Sequence, residues 1–221
     1  MAGKMAKKEL KKPDLFHSMF GEVMNYAARN RTRIYLISGI LVLISLIFGG
    51  WYIFRLNHER NADKLYALAY DARMKGNLIE AIKSYRDVTT KYPDTQAGAL
   101  ACYQLGNLYF HLDQVDASIR AYQEFLGKAV KDSDLLALAY GGLGYCCESR
   151  KNFKDALISF EKALKADLRG SFAGINYRNI ARIYEQMNNR GKAIEYYRKA
   201  LNKNNDPFVD LVIKRKISSL E

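Results

Sequence analysis

The sequence predicts an all-α protein: one N-terminal membrane-spanning helix, then a stack of four helical hairpins closed by a capping helix. Three observations carry this. An uncharged stretch is long enough to cross a bilayer. A pattern of small and aromatic residues recurs four times. Only three prolines occur, and no strand-like alternation appears.

The first element is a basic leader, residues 1–33, holding Lys4, Lys7, Lys8, Lys11, Lys12, Arg29, Arg31 and Arg33. Its segment "KMAKKELKKPD" has little to pack, and reads as a solvated tail or as a contact for anionic headgroups. From Ile34 to Phe54 follow 21 residues without charge or proline. As a helix they span roughly 30 Å, the thickness of a hydrocarbon core. Tyr35, Trp51 and Tyr52 mark the two ends, where aromatic rings settle at headgroup level. A signal peptide has a shorter apolar run and a small-residue cleavage site; this run ends in Trp-Tyr-Ile-Phe-Arg, which favours an uncleaved anchor. Residues 52–70 hold only Arg55, Arg60 and Lys64. The positive-inside rule therefore expects a cytoplasmic N-terminus, with the residues after 55, a juxtamembrane connection (55–61) first, on the far side: in a bacterium, the periplasm or the outside of the cell.

Beyond the span, basic residues exceed acidic ones by seven, against +12 for the whole chain. The two signs are interleaved, as in "ISFEKALKADLR", which describes solvated helix faces rather than a nucleic-acid surface. Four segments align: 65–93, 102–126, 140–164 and 177–201. Each carries a small residue in its first helix (Ala69, Gly106, Gly144, Ala181), with steps of 37, 38 and 37 residues. A second small residue follows (Ala81, Ser118, Ala156, Ala193), then an aromatic (Tyr85, Tyr122, Phe160, Tyr197). Small residues on two successive helices let their backbones approach. The aromatic then fills the space beside that contact and reaches the next repeat. Polar turns at 75–77, 112–114, 150–152 and 188–190 separate the helices, and each pair must stack to bury its open face.

Leu105-Gly106-Asn107-Leu108-Tyr109 with Tyr122, Leu143-Gly144 with Ala156, Phe160 and Ala163, and Ala81, Tyr85 and Pro93 resemble the tetratricopeptide repeat. The resemblance covers 62–207, with repeats near 62–98, 99–136, 137–173 and 174–207. It implies a right-handed superhelix used for protein–protein interaction. The spacing is longer than the family's, and Ser118 and Arg190 depart from the usual alanine and aromatic. In the last segment, 208–221, Val209, Val212, Ile213, Ile217 and Leu220 fall on one face. This reads as a capping helix whose outer side is polar through Lys214, Arg215 and Lys216.

No catalytic constellation is visible. His17, His58 and His111 are dispersed, and His17 and His58 are expected on opposite sides of the membrane. His111 with Asp113 reads as a surface pair, "GGLG" at 141–144 sits inside a helix, and no metal or cofactor is expected. Cys102, Cys146 and Cys147 lack metal or thiol-exchange spacing; they read as small apolar residues, although free thiols fit an oxidising compartment poorly. Ser45 and Gly49 form a small-xxx-small pair that would permit self-association.

By the family's register, the concave face carries Tyr66, Tyr70, Arg73, Tyr103, Asn107, Phe110, His111, Tyr145, Glu148, Arg178, Arg182 and Glu185. These residues are expected to bind other proteins or peptide segments, or to pack between repeats. The pattern that clamps a terminal carboxylate is not reproduced. The whole layout resembles the bacterial ancillary Sec translocon subunit family, which implies a scaffold meeting translocon subunits and periplasmic chaperones. The alternatives are an adaptor for cell-envelope or polysaccharide assembly, or a regulatory subunit of a membrane enzyme.

Overall fold

The computed structural model describes residues 15–128, 130–203 and 206–221. The tail 1–14, including "KMAKKELKKPD", lies outside them. The order is α1 (Leu15–Arg29), α2 (Arg31–Met74), α3 (Leu78–Lys91), α4 (Gln96–His111) and α5 (Val115–Leu126). It continues with α6 (Ser133–Ser149), α7 (Phe153–Ala166), α8 (Ala173–Gln186), α9 (Arg190–Leu201) and α10 (Pro207–Leu220). No strand occurs among the described residues. The chain divides into two compact units, Met1–Leu56 and Asn57–Glu221.

In the first unit, part of the expected leader is helical as α1, which ends at Arg29. In α2 an 18-residue window has a mean hydropathy of 2.2 and no buried residue. The core helix of a soluble domain is mostly buried, and this window is not. Its hydroxyls are satisfied inside the helix: Ser38 donates to the Tyr35 carbonyl at 3.0 Å, and Ser45 to Leu41 at 2.8 Å. The two serine hydroxyls therefore need no partner outside the helix. Residues 55–61, expected as a connection, are helical too, because no glycine or proline interrupts α2 between Gly50 and Met74.

In the second unit, the four hairpins are α2 (from Ala62) with α3, α4 with α5, α6 with α7, and α8 with α9. All twelve landmark residues are buried, including Ala69, Ala81, Tyr85, Ala156, Phe160, Ala181 and Ala193 at 0 % exposure. Glycine is required where the rings seat. A Cβ on Gly106 would stand 2.6 Å from the Tyr122 ring, and one on Gly144 would stand 2.5 Å from Phe160. Tyr122 also lies against Gly142 of the next repeat, the reach across the interface expected of the aromatic position. Ser118 fits in place of alanine because its hydroxyl donates to the Gly106 carbonyl at 2.7 Å. The core is a series of clusters along the stack, each shared by neighbouring hairpins, rather than one centre.

One backbone device closes every hairpin. Gly76, Asp113, Lys151 and Asn188 all adopt positive φ, between 57° and 80°. Each donates its N–H three residues back, and the following residue donates five back, as Asn152 does to Cys147 at 2.9 Å. This is a Schellman ending, which stops the first helix and turns the chain into the second. Side-chain caps then start later helices: Thr95 accepts from Gly98 N, Asn152 from Asp155 N, Asn189 from Lys192 N and Asp206 from Phe208 N.

The last helix corrects one expectation. Ile213, Ile217 and Leu220 face the stack, but Val212 does not: it is 57 % exposed, beside Phe208 and Leu211, also exposed. The outer side of α10 is therefore apolar over its first two turns and basic only from Lys214 onward. The cause is helical phase: Val212 lies about 100° around the helix from Ile213, enough to leave the packed stripe.

Candidate functional site

The first helices of the hairpins carry the expected surface residues, all but His111, at three recurring positions. One holds Tyr66, Tyr103 and Arg178; the next Tyr70, Asn107, Tyr145 and Arg182; the third Arg73, Phe110, Glu148 and Glu185. Most are half-buried and tied to a neighbouring repeat rather than free. Arg73 donates to Gln104 at 2.7 Å, and Gln104 to the Tyr66 hydroxyl at 3.4 Å. The Tyr66 ring stands edge-on to Tyr85, with centroids 5.4 Å apart. Tyr103 packs on Phe125 and Tyr122, and Asn107 accepts from the Tyr122 hydroxyl at 2.7 Å.

Further along the stack the contacts become ionic. Arg182 makes a two-pronged pair with Glu148, Nε to Oε1 at 2.8 Å and Nη2 to Oε2 at 2.5 Å, and Gln186 adds a third donor at 3.0 Å. Arg182 also lies over the Tyr145 ring, whose hydroxyl accepts from Asn179 at 2.8 Å. The hydrogen bond to Glu148 holds the Arg182 proton more firmly than usual, against the effect of burial. Burial opposes ionisation of Glu185, but Lys216 and the Tyr197 hydroxyl outweigh it and hold its carboxyl below the usual range. Burial pushes Tyr85 up to about 12 and also raises Tyr66, Tyr122 and Tyr197. These phenols stay neutral, suited to packing rather than to proton transfer.

Tyr70 and His111 are exposed, and Phe110 packs loosely on Tyr145. Asp113 is a hairpin turn residue with positive φ, and among the described residues no hydrogen bond or ion pair joins it to His111. Arg178 lines a cleft of about 220 Å³ with Gly174, Ile175, Asp206 and Val209. Cys102 and Cys146 are buried and Cys147 is half-buried; burial raises all three thiols, Cys102 to about 12, which keeps them in the slow-reacting protonated form. Among the described residues no group of three histidine, cysteine, aspartate or glutamate side chains could hold a metal ion. Periodicity did not single out Gln104, Asn176, Asn179 or Gln186. A signal existed for Asn176, which stands where earlier repeats have Ala101 and Ala139.

The tetratricopeptide-repeat family models match residues 103–169 and 176–206, so the chain carries these repeats. No curated protein matches the sequence. A crystal structure of MamA superposes with a TM-score of 0.60 at 20 % identity, covering 72 % of this chain and 80 % of that one. MamA from Desulfovibrio magneticus RS-1, from its residue 41 to its end, gives 0.55 at 16 % identity, over 64 % and 75 % of the two chains. PilF of Pseudomonas aeruginosa gives 0.59 at 18 % identity, over 74 % and 69 %. At these identities the likeness is one of fold. Proteins of this fold generally mediate protein–protein interaction and are not catalysts.

Proposed function

We propose that this chain is a membrane-anchored interaction scaffold that holds a concave binding face near a bilayer surface. The observation that carries the reading is the solvent-exposed apolar window of α2 in a chain whose later helices stack into interaction repeats. Tethering raises the local concentration of the face at the membrane without adding any contact. In this reading the chain does no covalent chemistry. The arginines and lysines ahead of Ile34 set the N-terminus in the cytoplasm and the repeats outside it, in the periplasm of a bacterial inner membrane. The layout supports a role beside the protein-translocation machinery, with translocon subunits and periplasmic chaperones as partners.

Two measurements test this. A reporter active only outside the cytoplasm, fused after Glu221, is expected to be active; activity confined to the cytoplasm overturns the orientation. Affinity capture of the full chain from solubilised membranes is expected to recover translocon subunits. Recovery of an envelope-synthesis complex without them would replace translocation by assembly, leaving the scaffold role intact.

A further inference from the structure

The repeat register continues into α10. Ile213, Ile217 and Leu220 stand 37 residues after Asn176, Ile180 and Ile183 of α8 and pack as those residues do. α10 thus extends the row of first helices by one, and its side chains extend the concave face. The positions of Ile175 and Arg178 on α8 recur on α10 as Val212 and Arg215. Ile175 is 43 % and Val212 57 % exposed, and Arg215 is exposed. The cleft that holds Ile175 and Arg178 has Val209 of α10 on its other side.

This end of the face differs from the other in charge. The position filled by Tyr66 and Tyr103 in the first two repeats is filled by Arg178 and Arg215 here. Among the described residues no carboxylate forms an ion pair with either arginine. Asp206 lines the same cleft, and its carboxylate, still ionised, is held at the N-terminus of α10 by the Phe208 N–H at 2.9 Å. Two cations and two exposed apolar side chains in repeating order match a chain that alternates carboxylate and apolar side chains.

We propose that the α8–α10 end of the concave face docks an acidic, apolar-rich segment of a partner protein. One apolar side chain of the segment fills the cleft between Ile175 and Val209, another lies on Val212, and its carboxylates pair with Arg178 and Arg215. The inference rests on the scaffold reading and names the chemistry of its partner.

The test is fluorescence anisotropy with the detergent-solubilised full chain and three labelled 12-residue probes: alternating Glu and Leu, alternating Lys and Leu, and alternating Glu and Ser. The Glu/Leu probe is expected to bind at least ten-fold tighter than either of the others and to weaken as salt rises. R178E/R215E is expected to lose that preference at least ten-fold, and R215E alone, at an exposed site, to lose part of it with an unchanged melting temperature. Equal binding of the Glu/Leu and Lys/Leu probes overturns the proposal. So does wild-type affinity in R178E/R215E. Either failure leaves the scaffold standing if crosslinkers placed at Tyr70 still capture a partner in cells; loss of that capture removes both.

Discussion

The first two repeats and the last two share their buried landmarks but are joined differently across the concave face. Tyr66, Arg73 and Gln104 link the first pair through rings and neutral acceptors. Glu148, Arg182, Glu185 and Lys216 link the later elements through ion pairs. Packing therefore runs through the whole stack, while across the concave face the ion pairs among the described residues lie at the later joints. The two halves should respond alike to lost packing and differently to salt and pH.

The largest effect should be common to both. Tyr122→Ala and Phe160→Ala each remove a buried ring seated on glycine and should each cost about 3–5 kcal/mol in urea unfolding. A loss in one half only would break the claim that packing is shared. Next comes Glu148→Gln, which strips the carboxylate from Arg182. Hydrogen bonds to charged groups are worth about 1.5–3 kcal/mol, so a loss in that range that shrinks in high salt is expected. Gln104→Ala should show no such salt dependence.

The pH response sharpens the contrast. The folded carboxyl of Glu185 is held below its ordinary value of 4.5, so its contribution is present above that value and is lost as pH falls through the lower folded value. Acid titration followed by hydrogen exchange should loosen α10 before the α2–α3 hairpin. The smallest effect lies in the turns. Lys151 holds φ 58° with an ordinary side chain, so Lys151→Gly should stabilise by about 1 kcal/mol; Asn188→Gly should gain less, because asparagine tolerates that region.

Much of this was legible in the sequence because hairpin contacts repeat. Ala69, Gly106, Gly144 and Ala181 announce close helix approach wherever they recur, and the polar turns fall where the left-handed residues stand. What periodicity missed depends on pairs far apart in sequence. Glu148 and Arg182 are 34 residues apart, and Arg73 and Gln104 are 31 apart. Nothing local tells a groove residue that faces solvent from one spent on its neighbour. Most of the expected surface, including Tyr66, Tyr103, Tyr145 and Glu148, proves to be joint as much as face. The continuation of α2 through 55–61 was readable from the absence of a helix breaker. The exposure of Val212 depended on which of two neighbouring phases α10 would dock.

The most direct test of the scaffold is site-specific photo-crosslinking of the full chain in cells. The crosslinker is placed at Tyr70 and at His111 on the concave face, and at Lys83 and Glu161, exposed on second helices. The account predicts a defined partner caught from Tyr70 and His111 and not from Lys83 or Glu161. Capture from Lys83 and Glu161 alone, or from none of the four, would contradict it.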